Sequence, residues 1–200
     1  MKKTILAIII SFVLVNYIFA TTNITTPANT HGLGVGFGLG DRNSIMMNFQ
    51  WNYGITEFLE FGAGLTNATY SINSIDPITL TNKTISINIL SYAIGLKAKY
   101  ELGPIVGTVG RSIENGNQEY SNNSISFTGD NTFAGIYYKN SSVVTPFYSM
   151  NWVNVSSQGQ SENQQLNSYG LMISTEEKTD IIITAKSDLK QFSLLVGFYL

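Results

Sequence analysis

Residues 32–40 read GLGVGFGLG and residues 45–53 read IMMNFQWNY. In the first stretch Leu33, Val35, Phe37 and Leu39 share one face, and Gly32, Gly34, Gly36, Gly38 and Gly40 the other. In the second, Ile45, Met47, Phe49, Trp51 and Tyr53 stand opposite Met46, Asn48, Gln50 and Asn52. A strict period of two is the mark of a β-strand whose faces meet different surroundings. Here one face is continuously apolar and collects its aromatics at one end, while the other is glycine or amide. Glycine weakens a strand unless close packing or strong curvature calls for it, and the tight interior of a small barrel does. A glycine-rich nucleotide loop would need a helix after it; the turn DRNS and another strand follow instead.

The alternation continues along the chain. The turn GITE leads into FLEFGAGLT, with Leu59, Phe61, Ala63 and Leu65 outside and Glu60, Gly62, Gly64 and Thr66 inside. The fourth predicted strand carries Ile85, Ile87 and Ile89, then Tyr92, Ile94, Leu96, Ala98 and Tyr100. Its apolar face changes parity near Leu90, which predicts a β-bulge there, because a one-residue slip moves every side chain across the sheet. ELGP opens a fifth strand through about Ser112, and residues 125–138 and 143–155 supply the sixth and seventh. Pro146 falls on the apolar face of the seventh, where it removes a ladder donor. LNSYGLMIS, DIIITAK and QFSLLVGFYL complete the set. The count is ten strands if DIIITAK pairs fully and eight if it does not. Three polar segments, 71–82, 114–124 and 156–165, are predicted loops that alternate with the short turns, the distribution expected of outer-membrane barrels.

Composition agrees with a membrane-facing sheet. Charged residues are 12% of the chain and hydrophobic ones 44%, with Ser, Thr, Asn, Gln and Gly in place of charge. A soluble β-sandwich also alternates, but it turns a charged face to water. The net charge is -2 and becomes more negative without Lys2 and Lys3, so a phosphate-neutralising nucleic-acid surface is not expected. After residue 20 no apolar run is long enough for a spanning helix.

Lys2 and Lys3, the apolar run 5–19 and Ala20 have the layout of a secretory signal, with a retained anchor as the alternative. The expected organisation is a signal peptide over 1–20, a flexible periplasmic leader over 21–31, and one barrel domain over 32–200. Cysteine is absent, so neither a lipid anchor nor a disulfide is expected.

In the C-terminal stretch, Phe192, Leu194, Val196, Phe198 and Leu200 alternate to the last residue. This looks like the terminal-strand signal read by the bacterial barrel-assembly machinery, with Leu200 where the pattern usually has Phe. With the signal layout and the alternation, the chain resembles the small OmpA-like and OmpX-like transmembrane barrels. GLGVGFGLG and ELGPIVGTVG carry a fainter resemblance to YfaZ-type barrels. The resemblance implies a closed, all-β, antiparallel up-and-down barrel in the outer membrane. Its implied partners are lipid and lipopolysaccharide, with the assembly machinery during insertion, and its implied state is a monomer.

Function must then be sought in the lumen and loops. His31 is the single histidine, and ahead of the first strand it reads as a polar residue at the periplasmic rim. One His without Cys makes a zinc site improbable, and the scattered acids offer no calcium cage, so no metal or cofactor is expected. No catalytic residue is expected either. Strand parity places Glu60, Lys97 and Lys99 inward near the periplasmic ends of adjacent strands, with Arg111 as a candidate fourth member. Buried charge must pair or meet lumen water, so the cluster reads as a salt-bridged plug or, alternatively, as a gate. Asn-x-Ser/Thr triplets occur at Asn23, Asn67, Asn82, Asn122, Asn140 and Asn154, as an Asn/Ser/Thr-rich chain produces by chance. The expected function is a non-enzymatic barrel with a filled lumen, acting in envelope integrity or through loop contacts. The alternatives are a narrow channel for water, ions or very small solutes, and a secreted soluble β-domain or adhesin.

Overall fold

A computed structural model describes residues 26–40, 44–75, 82–120, 123–139, 143–175, 179–186 and 191–200. The signal segment and most of the leader lie outside these residues. Ten strands follow in order: β1 (His31–Gly40), β2 (Ser44–Gly54), β3 (Leu59–Ile75), β4 (Asn82–Leu102), β5 (Ile105–Tyr120), β6 (Asn123–Tyr138), β7 (Val144–Ser157), β8 (Gln160–Ser174), β9 (Thr179–Lys186) and β10 (Phe192–Tyr199). Each pairs antiparallel with its sequence neighbours, and β1 pairs with β10 to close the barrel. The expected fold is the one observed, with the strand count at ten. His31, expected ahead of the first strand, is its first residue and lies opposite Tyr53.

One rim, here called the near rim, carries Thr26, Leu200 and the turns after β2, β4, β6 and β8; the far rim carries the others. The outer face around the near half is apolar: Val35, Phe37, Leu65, Leu90, Ile94, Leu96, Val109, Ile113, Leu171 and Ile183 are all exposed there. Aromatic residues flank this belt. Tyr100, Tyr138 and Phe198 lie toward the near rim, and Tyr92, Trp152 and Phe192 toward the far edge of the belt. His31 joins the near girdle, its ring centroid 4.9 Å from that of Tyr53 and 5.8 Å from that of Trp51. Pro146 sits one residue past the end of the β6–β7 ladder, which closes at Tyr137 and Phe147, so it interrupts no pairing on that side.

β3 to β8 are much longer than β1, β2, β9 and β10, and run past the apolar belt as a six-stranded wall. A tilted strand needs only about 9–11 residues to cross a bilayer, so the excess projects beyond it. Of the three segments expected as polar loops, 114–120, 123–124, 156–157 and 160–165 are strand, as are 71–75 and Asn82, and the rest of 71–82 lies outside the described residues. At the tip of β7–β8, Gln158 and Gly159 have φ of 50° and 75°, the left-handed pair that a two-residue hairpin with the sheet's twist requires. At the near rim, Gly103 has φ 59° ahead of Pro104, whose ring holds φ negative, so the two-residue turn from β4 to β5 is left-handed only at its first position.

No bulge occurs at Leu90. The β3–β4 register runs without a slip from Leu59 opposite Ala98 to Ile75 opposite Asn82. The apolar residues do change face there, because the surroundings change. Below Leu90 lipid-type residues point out and Ser91, Ala93 and Lys97 point in; above it Asn88 points out while Ile87 and Ile89 are buried inside. The same exchange happens between Trp152 and Asn154, whereas on β5 the outer face turns polar past Ile113 while Glu114 and Gln118 are buried inside. The projecting wall thus has a polar exterior and a largely apolar interior, into which Glu114 and Gln118 of β5 also point, close to the reverse of the belt.

Candidate functional site

The lumen has three tiers. At the near rim, Glu60 on β3 lies opposite Lys97 on β4, and Oε1 is 3.0 Å from Nζ with both side chains 4% exposed. Glu60 Oε2 also accepts the backbone N–H of Thr26. Thr26 belongs to the leader, and it is buried. Asn29 N–H donates to Gly54 O at 2.7 Å and Gly54 N–H to Thr30 O at 3.1 Å, so residues 26–30 are held along the near rim at β1 and β2, with Thr26 inside it. A side chain at Gly54 would strike the carbonyl of Pro27, which explains the glycine. Lys99 faces the same rim and pairs with Glu101 at 3.0 Å.

Arg111 does not join this group. Parity on β5 turns it outward between Val109 and Ile113, where it forms a two-pronged pair with Asp130 of β6. The Nε–Oδ1 bond is 2.9 Å, and Nη2 donates to Oδ2. Asp130 lies toward the far edge of the belt, so the long arginine side chain reaches toward water along the barrel wall, as snorkelling side chains do. The expectation that charge in a strand points inward fails here because a partner one register step away neutralises it outside.

The middle tier is polar. Asn48, Gln50, Thr66, Ser91, Ser112, Asn131, Asn151 and Ser168 are buried there. Asn48 donates to Thr66 Oγ1 at 3.0 Å. Among the described residues, side-chain atoms of Gln50, Ser91, Ser112 and Ser168 find no protein partner, and such groups are ordinarily met by interior water. A cavity of about 290 Å³, its open mouth included, lies along Glu60, Gly62, Gly64, Ala93, Gly95, Lys97 and Ser112. Facing glycines and alanine leave this space: Gly62 is opposite Gly95 and Gly64 opposite Ala93.

The upper tier fills the projecting wall. Met46, Ala68, Ile87, Ile89, Ile125, Phe127, Val153 and Val155 are buried in one apolar cluster, with Ile85, Tyr120 and Leu166 against it. Large rings fit because small residues stand opposite. Phe127 lies over Gly116, Phe133 over Gly110 and Phe147 over Gly170, each directly across a ladder. These phenylalanines fill the lumen where glycine leaves room, a role that no single strand's sequence reveals, since the pairing partner is needed to see it. On the β9 side of the near rim, the Tyr199 hydroxyl donates to Asp180.

Among the described residues no three His, Asp or Glu side chains converge as a metal set. The C-terminal alternation is present on β10, where Phe192, Leu194 and Phe198 are exposed and Leu195 is buried.

No family model matches the chain, and no curated protein matches it in sequence. Solved structures do share its fold. The β domain of the Bordetella autotransporter BrkA superposes with a TM-score of 0.51 at 8% identity, covering 88% of this chain and 98% of that one. The translocator domain of the autotransporter NalP from Neisseria meningitidis gives 0.47 at 10% identity, with 99% and 97% covered. OmpT of Vibrio cholerae gives 0.43 at 12% identity over 80% of this chain, which spans 57% of the OmpT length. The BrkA likeness establishes a shared closed-barrel fold of outer-membrane type.

Proposed function

We propose that this chain is a non-enzymatic outer-membrane barrel with a lumen occluded by its own side chains, acting in envelope integrity or through contacts of its projecting wall. The observation that carries this reading is the apolar upper tier, from Met46 to Val155, lying in line with the polar chamber below it. An apolar constriction dewets and resists ions. Thr26, buried inside the near mouth against Glu60, acts in the same sense. The exposed belt with aromatic flanks supports a barrel in lipid over a secreted soluble β-domain or adhesin. In this reading residues 1–20 are a cleaved signal and the near rim faces the periplasm. The β10 alternation serves the assembly machinery, lipopolysaccharide surrounds the far edge of the belt, and the barrel is a monomer.

A narrow channel for water or very small solutes is the second reading, and the glycine-lined cavity beside Glu60 and Lys97 favours it. Planar-bilayer recording decides between them. The occluded barrel stays at background, and opening the apolar tier with Ile89→Ser plus Val155→Ser produces current. Steady wild-type conductance, unaltered by those substitutions, would overturn the occluded reading.

A further inference from the structure

We infer that the outer face of β6 to β8, at the far edge of the belt, is a sugar-binding patch that takes the hydroxyls of the lipopolysaccharide lying against it. This names a partner for the wall contacts proposed above and rests on the membrane placement given there. Four outward residues stand in one row across the ladders: Arg111 lies opposite Thr132, Thr132 opposite Trp152, and Trp152 opposite Gln165. Two residues nearer the far rim, Asp130 lies opposite Asn154 and Asn154 opposite Asn163. Two residues the other way, Val109, Ala134 and Met150 belong to the apolar belt. Trp152, 42% exposed, therefore has a lipid-type neighbour below it and amide or hydroxyl side chains on its other three sides. A ring that served only in a membrane girdle needs no such frame.

The polar side chains of the frame hold one another. Asn154 Nδ2 donates to Asn163 Oδ1 at 2.6 Å, and Gln165 Nε2 donates to Asn167 Oδ1 at 3.3 Å. One step further out, the hydroxyls of Ser156 and Ser161 lie 2.7 Å apart. An amide carries two N–H donors and a carbonyl with two acceptor sites, so each keeps groups to spare after these bonds. Side chains already fixed in place lose little freedom when a ligand arrives. A sugar ring matches such a surface: it has a face of C–H bonds to lie on the indole, and a rim of hydroxyls that both donate to and accept from the amides. With strands about 4.8 Å apart, the four-strand row is about 14 Å wide, enough for a short oligosaccharide.

Charge decides for the sugar of the head group over its phosphate. Arg111 and Asp130 are locked in their two-pronged pair, so the patch carries no net charge, and a phosphate brought to Arg111 would also meet the Asp130 carboxylate. A neutral polyhydroxyl meets no such opposition. Continuity with the belt identifies the source. Met150, Trp152 and Asn154 are successive outward positions of β7, passing from apolar to aromatic to amide. A molecule that lays acyl chains on the belt thereby sets its sugars on the patch, whereas a soluble glycan would use only the upper part of that path.

The test is titration calorimetry on the folded full-length barrel in detergent micelles. The probes are lipopolysaccharide, the same material dephosphorylated, its saccharide freed of acyl chains, and phosphatidic acid, which has chains and phosphate without sugar. Lipopolysaccharide should bind at least tenfold more tightly than phosphatidic acid, and dephosphorylation should leave its affinity within about twofold. Trp152→Ala with Asn163→Ala should bring lipopolysaccharide down to the phosphatidic acid value without altering phosphatidic acid itself. Trp152→Phe, which keeps a ring, should keep most of the affinity. Heat-modifiable migration on a gel shows that each variant is folded, and the wild-type comparison of probes needs no variant. Phosphatidic acid binding as tightly as lipopolysaccharide overturns the inference, as does an unaltered affinity in the folded double variant. Affinity lost on dephosphorylation assigns the site to phosphate and overturns it too. Freed saccharide binding as tightly as the whole molecule assigns the patch to a soluble glycan, which likewise overturns the inference. None of these readouts depends on conductance, so the inference and the occluded-lumen reading fail separately.

Discussion

Glu60 and Lys97 face each other across the β3–β4 ladder at 3.0 Å, and the same carboxylate holds the backbone of Thr26. One acid thus ties two strands and the leader together. Removing one partner of a buried pair leaves a charge without compensation. Glu60→Gln should lower stability by about 3 kcal/mol, the low end for such a loss, because the amide oxygen still accepts from Thr26. Glu60→Gln with Lys97→Met should recover most of it. Urea unfolding in lipid vesicles checks both, and unchanged stability in the single variant would show that the pair contributes nothing to the fold.

The belt orientation predicts unequal neighbours. Phe49 is exposed on the lipid-type face, while Gln50 is buried against Gly34. Phe49→Arg should cost about 2–4 kcal/mol if it lies near the bilayer centre. Gln50→Ser should cost clearly less. Equal costs in the same unfolding assay would reverse inside and outside.

A Cβ on Gly110 would collide with the ring of Phe133. Gly110→Ala should therefore destabilise by about 1–3 kcal/mol through overpacking. Adding Phe133→Leu, which shortens the opposing side chain, should relieve part of the loss. A heat-modifiability gel run over a temperature series reads the order, and an additive double variant would refute the ring-over-glycine account.

Topology is open to surface labelling. Tags placed between Gln158 and Gly159 should be reached in intact cells, since that turn caps the projecting wall. Tags at Thr56 or between Gly103 and Pro104 should react only after the outer membrane is breached. The opposite pattern would invert the barrel.

Much of this architecture is legible in residues 32–66, where glycine or polar side chains alternate with apolar ones through the belt. Parity places Glu60, Lys97 and Lys99 inward, and the β3–β4 register selects Lys97 as the partner of Glu60. Parity misleads where a strand passes from one environment to another: Ile87 and Ile89 look like a slipped lipid face, yet they are buried inside the projecting wall, whose outward residue there is Asn88. Arg111 fails for another reason: its expected place is the inward cluster, and the partner that holds it outside, Asp130, lies on another strand, visible only through the β5–β6 register. The polar stretches around Asn117 and Asn163 pass for loops because their outward residues are as hydrophilic as loop residues.

The seam between β1 and β10 has a kinetic meaning. His31 N–H donates to Leu200 O at 3.1 Å and Leu200 N–H to His31 O at 2.8 Å, joining the ends of the described barrel. Every other ladder joins neighbours in sequence and closes a short loop, whereas this one closes the whole chain and bears the largest entropic cost. The strand that must make it offers little to the interior, since Gly32, Gly34, Gly36 and Gly38 have no side chains to interlock. Closure should therefore be the last and slowest step of assembly, and the seam the first to part under force, with the long β3–β8 hairpins still zipped when it opens.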